Sequence, residues 1–304
     1  MLSCHYRLSV KTVISRGKGH SVVNSAAYIA RAKFKDNELG NTFDHTKNQS
    51  LALFSQVIVP PSVPTWFADP EQLWNEVQRF ESRKNSQFAR SIELNLPHQL
   101  QVDDMIDVLI CYIEKEFLSN QMIAHVALHS PSEHGGDERN YHAHLLLTLR
   151  RANEQGFYGN KVREWNDKSK LKQWRESWAI ECSIMLRQRG LKKEVDRWRY
   201  GHLTLKEQYE KAIKRGDIEY AEQACNHVPT RHKGVAICNI ERKGEKSYVL
   251  EARREDAKAI KKAKEIELQR LKDQEKELKI NHRVDTLMAA RAMARLNNDK
   301  HRER

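Results

Sequence analysis

Two histidines separated by one residue, His142 and His144, head the run "YHAHLLLTLR". On a β-strand, residues two apart point to the same face, so the two imidazoles project side by side. Neutral imidazole nitrogens bind many divalent metals, and a pair on one face supplies two legs of such a site. A third leg is available upstream in "IAHVALH", whose alternation puts His125 and His129 on one face. If the two strands pair across the polar connection "SPSEHGGDERNY", His129 lies at the loop-proximal end beside His142 and is preferred. His125 on the same strand and His134 in the loop are rivals. Three histidine ligands leave coordination positions open, the pattern of a catalytic rather than a structural metal. They also leave the metal's charge undiminished. That suits a phosphodiester, whose non-bridging oxygens it can polarise and whose developing charge it can stabilise.

The elements that would hold these residues alternate between strand and helix. "HYRLSVKTVI", "ALFSQVIV", "FARSIELNLP", "MIAHVALHS" and "NYHAHLLLTLR" read as strands. Ser21 caps a helix through "VVNSAAYIARAKF", and 35–50 reads as a loop. Asp69 caps a second helix with Pro70 at its first position. "QVDDMIDVLICYIEKEFLS" is an amphipathic helix, and "KSKLKQWRESWAIECSIMLRQRG" is a helix stopped by Gly190. The order predicts an α+β fold: a mostly antiparallel central sheet with flanking helices, followed by a long charged C-terminal helix. Residues 1–200 are expected to form the catalytic domain, 201–249 a connecting segment and 250–304 a basic helical tail.

The 304 residues carry 53 Lys+Arg against 41 Asp+Glu, a net charge of +12. Such a balance favours a polyanionic partner. The five cysteines are widely spaced with no CxxC pair, which argues against a disulfide framework or a zinc ribbon and for a reducing compartment. The N-terminus has no apolar signal region and no run approaches the roughly 18 apolar residues of a membrane span. The expectation is a cytoplasmic protein without membrane insertion.

Taken together, "HYRLSVK", "SRGKGHS", "NSAAYIARAKF", "FARSIELNLP" and "NYHAHLLLTLR" resemble, in this order, the MobA/MobL family of plasmid-mobilisation relaxases, members of the HUH endonucleases. The resemblance runs over roughly residues 1–190 and continues in "VPTRHKGV". It implies that Tyr28 is the catalytic tyrosine and that His129, His142 and His144 hold a divalent metal, Mg²⁺ or Mn²⁺. Glu93 stands where relatives carry an acidic residue near the site, which implies a catalytic part in taking the tyrosine proton or in orienting a histidine ligand; Ser91 stands where some carry a second acid. The implied reaction is nicking of single-stranded origin-of-transfer DNA through a 5′-phosphotyrosine, with a 3′-OH released. Relaxosome accessory proteins and a type IV secretion coupling protein are the implied partners. Arg16, Lys18, Arg31, Lys33 and Lys35 surround the tyrosine helix in sequence and are candidates for backbone phosphates. Trp165, Trp174 and Trp178 offer base stacking or, at helical spacing, core packing. An HUH replication initiator and a non-catalytic DNA-binding protein of the same fold are the competing readings.

Overall fold

The computed structural model describes residues 6–226 except 12, 48–51 and 132–136, together with helical positions between 255 and 286. His134 and "VPTRHKGV" lie outside the described residues. The chain divides into two compact units, 1–202 and 203–304.

In order, the first unit comprises β1 (Leu8–Val10), β2 (Ile14–Ser15), α1 (Val22–Ala30), β3 (Lys33–Lys35), β4 (Thr42–Asp44) and β5 (Ala52–Ile58). It continues with α2 (Pro70–Phe80), β6 (Gln87–Asn95), α3 (Val102–Glu116), β7 (Ala124–His129) and β8 (His142–Thr148). The hairpin of β9 (Arg151–Asn153) and β10 (Gly156–Tyr158) follows, then α4 (Lys168–Gln188) and α5 (Lys192–Arg199). The central sheet runs β1-β6-β8-β7-β5, with β2 also on β6, and every pairing in it is antiparallel. The α+β architecture expected from the sequence is therefore the one observed.

Each strand alternates between two apolar layers, which is why both faces carry helices. Ile92, Leu94, Val126, Leu128, Ala143, Leu145 and Leu147 pack on one face with Met105, Leu109 and Tyr112 of α3 and Trp174 and Trp178 of α4. Ala89, Ile123, Ala127 and Leu146 face the other way, onto Val23 and Ala26 of α1 and Leu73 and Trp74 of α2. Burying each large aliphatic or aromatic side chain contributes roughly 1.5–3 kcal/mol, so the two layers fix the sheet from both sides.

Several local expectations hold. The Asp69 carboxylate accepts from Gln72 N with Pro70 at the helix start, and Gly190 takes a left-handed φ of 73° just past α4. Two expectations are corrected. The helix from Ser21 ends at Ala30, because Arg31 turns left-handed at φ 53° and the chain leaves as β3. The stretch read as a loop folds back as the β3–β4 hairpin, with Phe34 opposite Phe43.

The second unit contains α6 (Leu205–Lys214) and α7 (Ile218–Asn226), with described helical residues at 258–263 and 265–270. Tyr209, Ala212, Tyr220, Ala221 and Leu268 form its small core, and Lys272 pairs with Glu222 at 2.8 Å.

Candidate active site

The site is built by three neighbouring strands and one helix. In the β7–β8 register His129 lies opposite His142, and in the β6–β8 register Glu93 lies opposite His144. The three histidine rings converge, with centroids 4.8–5.3 Å apart. One ligand nitrogen from each lies within 4.8 Å of the others. His129 Nε2 donates to the Ile29 carbonyl at 2.6 Å. That carbonyl is one of the last four of α1, which have no partner inside the helix, so the imidazole completes the helix end and its unprotonated nitrogen is Nδ1, which has the Arg31 guanidinium 3.4 Å away. His142 Nδ1 donates to the Asn140 carbonyl at 3.0 Å, which leaves Nε2 available. These second hydrogen bonds set the tautomers, as backbone partners do for metal-ligating histidines.

Electrostatics favour neutral rings at His129 and His144. Burial pushes His144 down to about 3, helped by His129 and His142, with Glu93 opposing. Burial pushes His129 down to about 4; its bond to Ile29 opposes, and Arg31 and His142 add to the fall. Neutral imidazole is the form that ligates a metal. The donor set, its spacing and the neutral rings of His129 and His144 therefore fit a divalent ion.

Tyr28 stands over this cluster on the outward face of α1, 45% exposed, next to the fully buried Ala26 and Ala27. Those small residues let the helix lie close against the sheet. The Tyr28 ring is edge-on to His144 at 6.4 Å and to His45 at 5.5 Å. A cleft of about 550 Å³ opens here, lined by Tyr28, His142, His144, Glu93, Lys11 and His45 among others. Arg31 lies across the Tyr28 ring at 4.4 Å, and its Nη2 is 3.4 Å from His129 Nδ1. Glu93 is ion-paired with Lys11 and, at 3.4 Å, with Arg7. Burial raises its pKa, but the Lys11 hydrogen bond and the charges of Lys11, Arg7 and His144 outweigh that and hold the carboxyl below its usual range.

The other sequence candidates separate. His125 is fully buried, opposite Leu146, and accepts from Trp74 Nε1 at 3.1 Å. It belongs to the core. Arg16 is turned away from the cleft, bound to Glu38 and to the carbonyls of Gln78 and Glu81. Lys18, Lys33 and Lys35 are exposed, the last two on one face of β3. Trp165, Trp174 and Trp178 are buried to within 3% exposure, so they pack rather than stack on bases.

Sequence reasoning missed Lys11, Asn24, Asn140 and His45. His45 bonds Asn24 Oδ1 at 2.8 Å, and Asn24 sits one helical turn before Tyr28. That turn spacing was a usable signal; the place of His45 depends on the β3–β4 hairpin.

The profile of the MobA/MobL family matches residues 20–243. The chain belongs to the MobA/MobL family. It is 30% identical over 266 residues to the conjugal transfer protein TraA of Agrobacterium fabrum, a match spanning 82% of this chain and 23% of TraA. It is 27% identical to the mobilization protein MobL of Acidithiobacillus ferridurans, across 80% of this chain and 65% of MobL. The solved structure described as "Molecular Basis of Vancomycin Resistance Transfer in Staphylococcus aureus" superimposes with a TM-score of 0.55 at 30% identity, covering 62% of this chain and 95% of that one. This chain thus matches about a quarter of the length of TraA. Among the described residues, no helix is long and apolar enough to cross a membrane.

Proposed function

We propose that this MobA/MobL chain is a DNA relaxase that nicks one strand at an origin of transfer by tyrosine transesterification. The observation that carries the reading is an exposed tyrosine on α1 facing His144 at the edge of a three-imidazole cluster. Tyr28 Oη attacks the scissile phosphorus, the bond to O3′ breaks, and the phosphate becomes a 5′-phosphotyrosine. The tyrosine proton is released and a proton is taken up at O3′, so the 3′-OH leaves neutral. The phosphodiester is exchanged rather than hydrolysed, which lets the same groups rejoin the strand.

His129, His142 and His144 would hold the divalent ion, Mg²⁺ or Mn²⁺. Bound there, it supplies Lewis-acid polarisation of the phosphate's non-bridging oxygens. The chain's own residues do the rest. Arg31 braces the Tyr28 ring and offers a guanidinium to the incoming phosphate. Glu93, kept ionised by Lys11 and Arg7, fixes the field beside His144. Lys18, Lys33 and Lys35 lend exposed charge for flanking phosphates. Accessory proteins of the relaxosome and a secretion coupling protein are the partners this reading brings with it.

The test uses labelled single-stranded oligonucleotides tiled across the DNA flanking the gene, with Mg²⁺ or Mn²⁺, run on a denaturing protein gel. A metal-dependent labelled adduct, absent for Tyr28→Phe, is expected. No adduct from any oligonucleotide, with protein that binds both metal and DNA, would refute the nickase.

A further inference from the structure

Among the described residues four aromatic side chains are more than a third exposed: Tyr28, Trp66, Phe80 and Tyr158. Tyr28 belongs to the cleft. The other three lie at the opposite end of the sheet, where β8 finishes and the β9–β10 hairpin begins. Phe80 shares a crevice there with Thr148, Arg150 and Phe157. A chain of rings links Trp66 and Phe80: Trp66 to Phe67 at 4.2 Å, Phe67 stacked on Phe157 at 4.9 Å, and Phe157 to Phe80 at 6.0 Å. Tyr158 pairs with Arg151 across the hairpin, so both project from its outer face.

The same end is rich in cations. The buried Glu81 carboxylate takes both Arg150, at 2.6 Å, and Lys161, at 3.1 Å. Arg83, whose charge reaches Lys161, is exposed, as are Lys84 and, on the outer face of the hairpin, Arg151. Lys161 is lowered by burial and further by the charges of Arg150 and Arg83, despite its bond and pairing to Glu81, which oppose. Against these five cations stand Glu81 and the exposed Glu154 of the hairpin turn, so positive charge predominates. Core packing accounts for Phe67 and Phe157 but not for the outward faces of Phe80 and Tyr158. Arg150 lies over the Phe80 ring at 5.2 Å, and the part of the ring it leaves exposed is the part a base would meet.

We propose that this distal end is a second contact surface for single-stranded DNA, with unpaired bases stacking on Phe80 and Tyr158 and phosphates held by Arg83, Lys84 and Arg151. Exposed rings set in positive charge are the means by which proteins hold unpaired strands without reading sequence. A duplex offers no free base faces, which selects the single strand. The inference rests on the relaxase reading, which supplies such a strand at the cleft. Six residue steps of β8 separate His142 from Thr148, roughly 20 Å at strand spacing. A strand stacked at ~3.4 Å per nucleotide covers that in about six nucleotides, so the surface would hold one flank of the strand being cut.

The test is fluorescence anisotropy of the full chain with labelled (dT)25 and with a 25-base-pair duplex, without added metal. Phe80→Ala/Tyr158→Ala should weaken (dT)25 at least tenfold, as stacking is worth ~1–3 kcal/mol per base, and leave duplex affinity unchanged. Arg83→Ala/Arg151→Ala, both on exposed side chains, should make the salt slope for (dT)25 shallower by roughly 0.7 for each phosphate that is no longer neutralised. Adduct yield at saturating oligonucleotide should stay at the level of the unaltered protein in both. Failure of the unaltered protein to bind (dT)25, or unchanged affinity and slope in both variants, overturns the proposal. If the variants lose (dT)25 while no adduct forms at the cleft, the nickase reading falls and the contact surface stands.

Discussion

The guanidinium of Arg31 lies 4.4 Å above the Tyr28 ring while its other end comes within 3.4 Å of His129 Nδ1. One side chain thus joins the proposed nucleophile to the proposed metal cluster. Arg31 also caps α1 in the left-handed region, at φ 53°, where a non-glycine residue is strained and glycine is not. Arg31→Gly therefore separates the two roles. The helix end should be kept or slightly stabilised, while the phosphate loses a charged partner worth ~1.5–3 kcal/mol. Adduct formation should slow roughly ten- to a hundredfold with little change in melting temperature. Equal adduct rates for Arg31→Gly and the unaltered protein would remove Arg31 from the chemistry.

Glu93 faces His144 across the strand pair, but its charge is engaged by Lys11 and Arg7. A carboxylate so held is a fixed charge rather than a proton carrier. Glu93→Gln should weaken divalent-metal binding about ten- to a hundredfold, the range seen when an outer partner of a ligand is removed. His144→Ala should weaken it more. Calorimetric titration with Mn²⁺ measures both. An unchanged Mn²⁺ affinity with a slowed adduct step would instead make Glu93 a group that acts on the DNA.

The strands that carry the histidines were legible because alternation is a local signal: "IAHVALH" and "YHAHLLLTLR" each show their facing in their own residues. The choice among His125, His129 and His134 was less so. The strand pattern places His125 and His129 on one face equally well, and only the register, His129 opposite His142, puts one of them in the cluster. Arg16 reads in sequence as a free loop cation, yet Glu38 and two carbonyls from the end of α2 hold it, 22 to 65 residues away in the chain. Nothing local to "SRGKGH" announces those partners. His45 was hidden for the same reason, since a short hairpin without Asn-Gly or Pro-Gly reads as polar loop. The distal aromatics Phe80 and Tyr158 each look like one more core residue at helix or strand spacing. Their exposure is a property of the packed layers.

Asp36 is fully buried in the β3–β4 connection and ties three elements together. Its carboxylate accepts from Ser21 Oγ at 2.6 Å, Leu39 N at 2.9 Å, Glu38 N at 3.0 Å and Gln78 Nε2 at 2.9 Å. Burial raises its pKa, but these bonds, that from Ser21 foremost, bring it below the usual value. Asp36→Ala strands buried donors at ~1–3 kcal/mol each. The expected loss is about 3 kcal/mol, which is roughly 6–12 °C in melting temperature for a unit of this size. Because the folded pKa is depressed, the stabilisation is present above the ordinary Asp value of about 3.9 and drains away as pH falls below it. Asp36→Asn should flatten stability against pH in that acidic window. A melting temperature within 2 °C of the unaltered protein for Asp36→Ala, a margin of about 1 kcal/mol, would show that the tie is unimportant.

His125 acts in the same direction but in a higher pH window. Complete burial pushes it down to about 3 from an ordinary 6.5, and its Nδ1 accepts from Trp74. The unfolded chain takes a proton below 6.5 that the folded chain refuses until about 3. Stability from this residue is therefore full above about pH 6.5 and lost as pH falls toward 3, at ~1.4 kcal/mol per unit, or ~2 kcal/mol by pH 5. His129 and His144 add to the same loss, but they do so in both proteins, so their share cancels when the unaltered protein is compared with a His125 variant. With Mn²⁺ present, urea midpoints at about pH 5 and pH 7.5 should thus differ less for His125→Gln than for the unaltered protein, by the equivalent of ~2 kcal/mol. The packing cost of the substitution is the same at both pH values and cancels in the difference. An identical drop for both proteins would mean that His125 is already protonated in the fold, and that Trp74 finds its acceptor elsewhere.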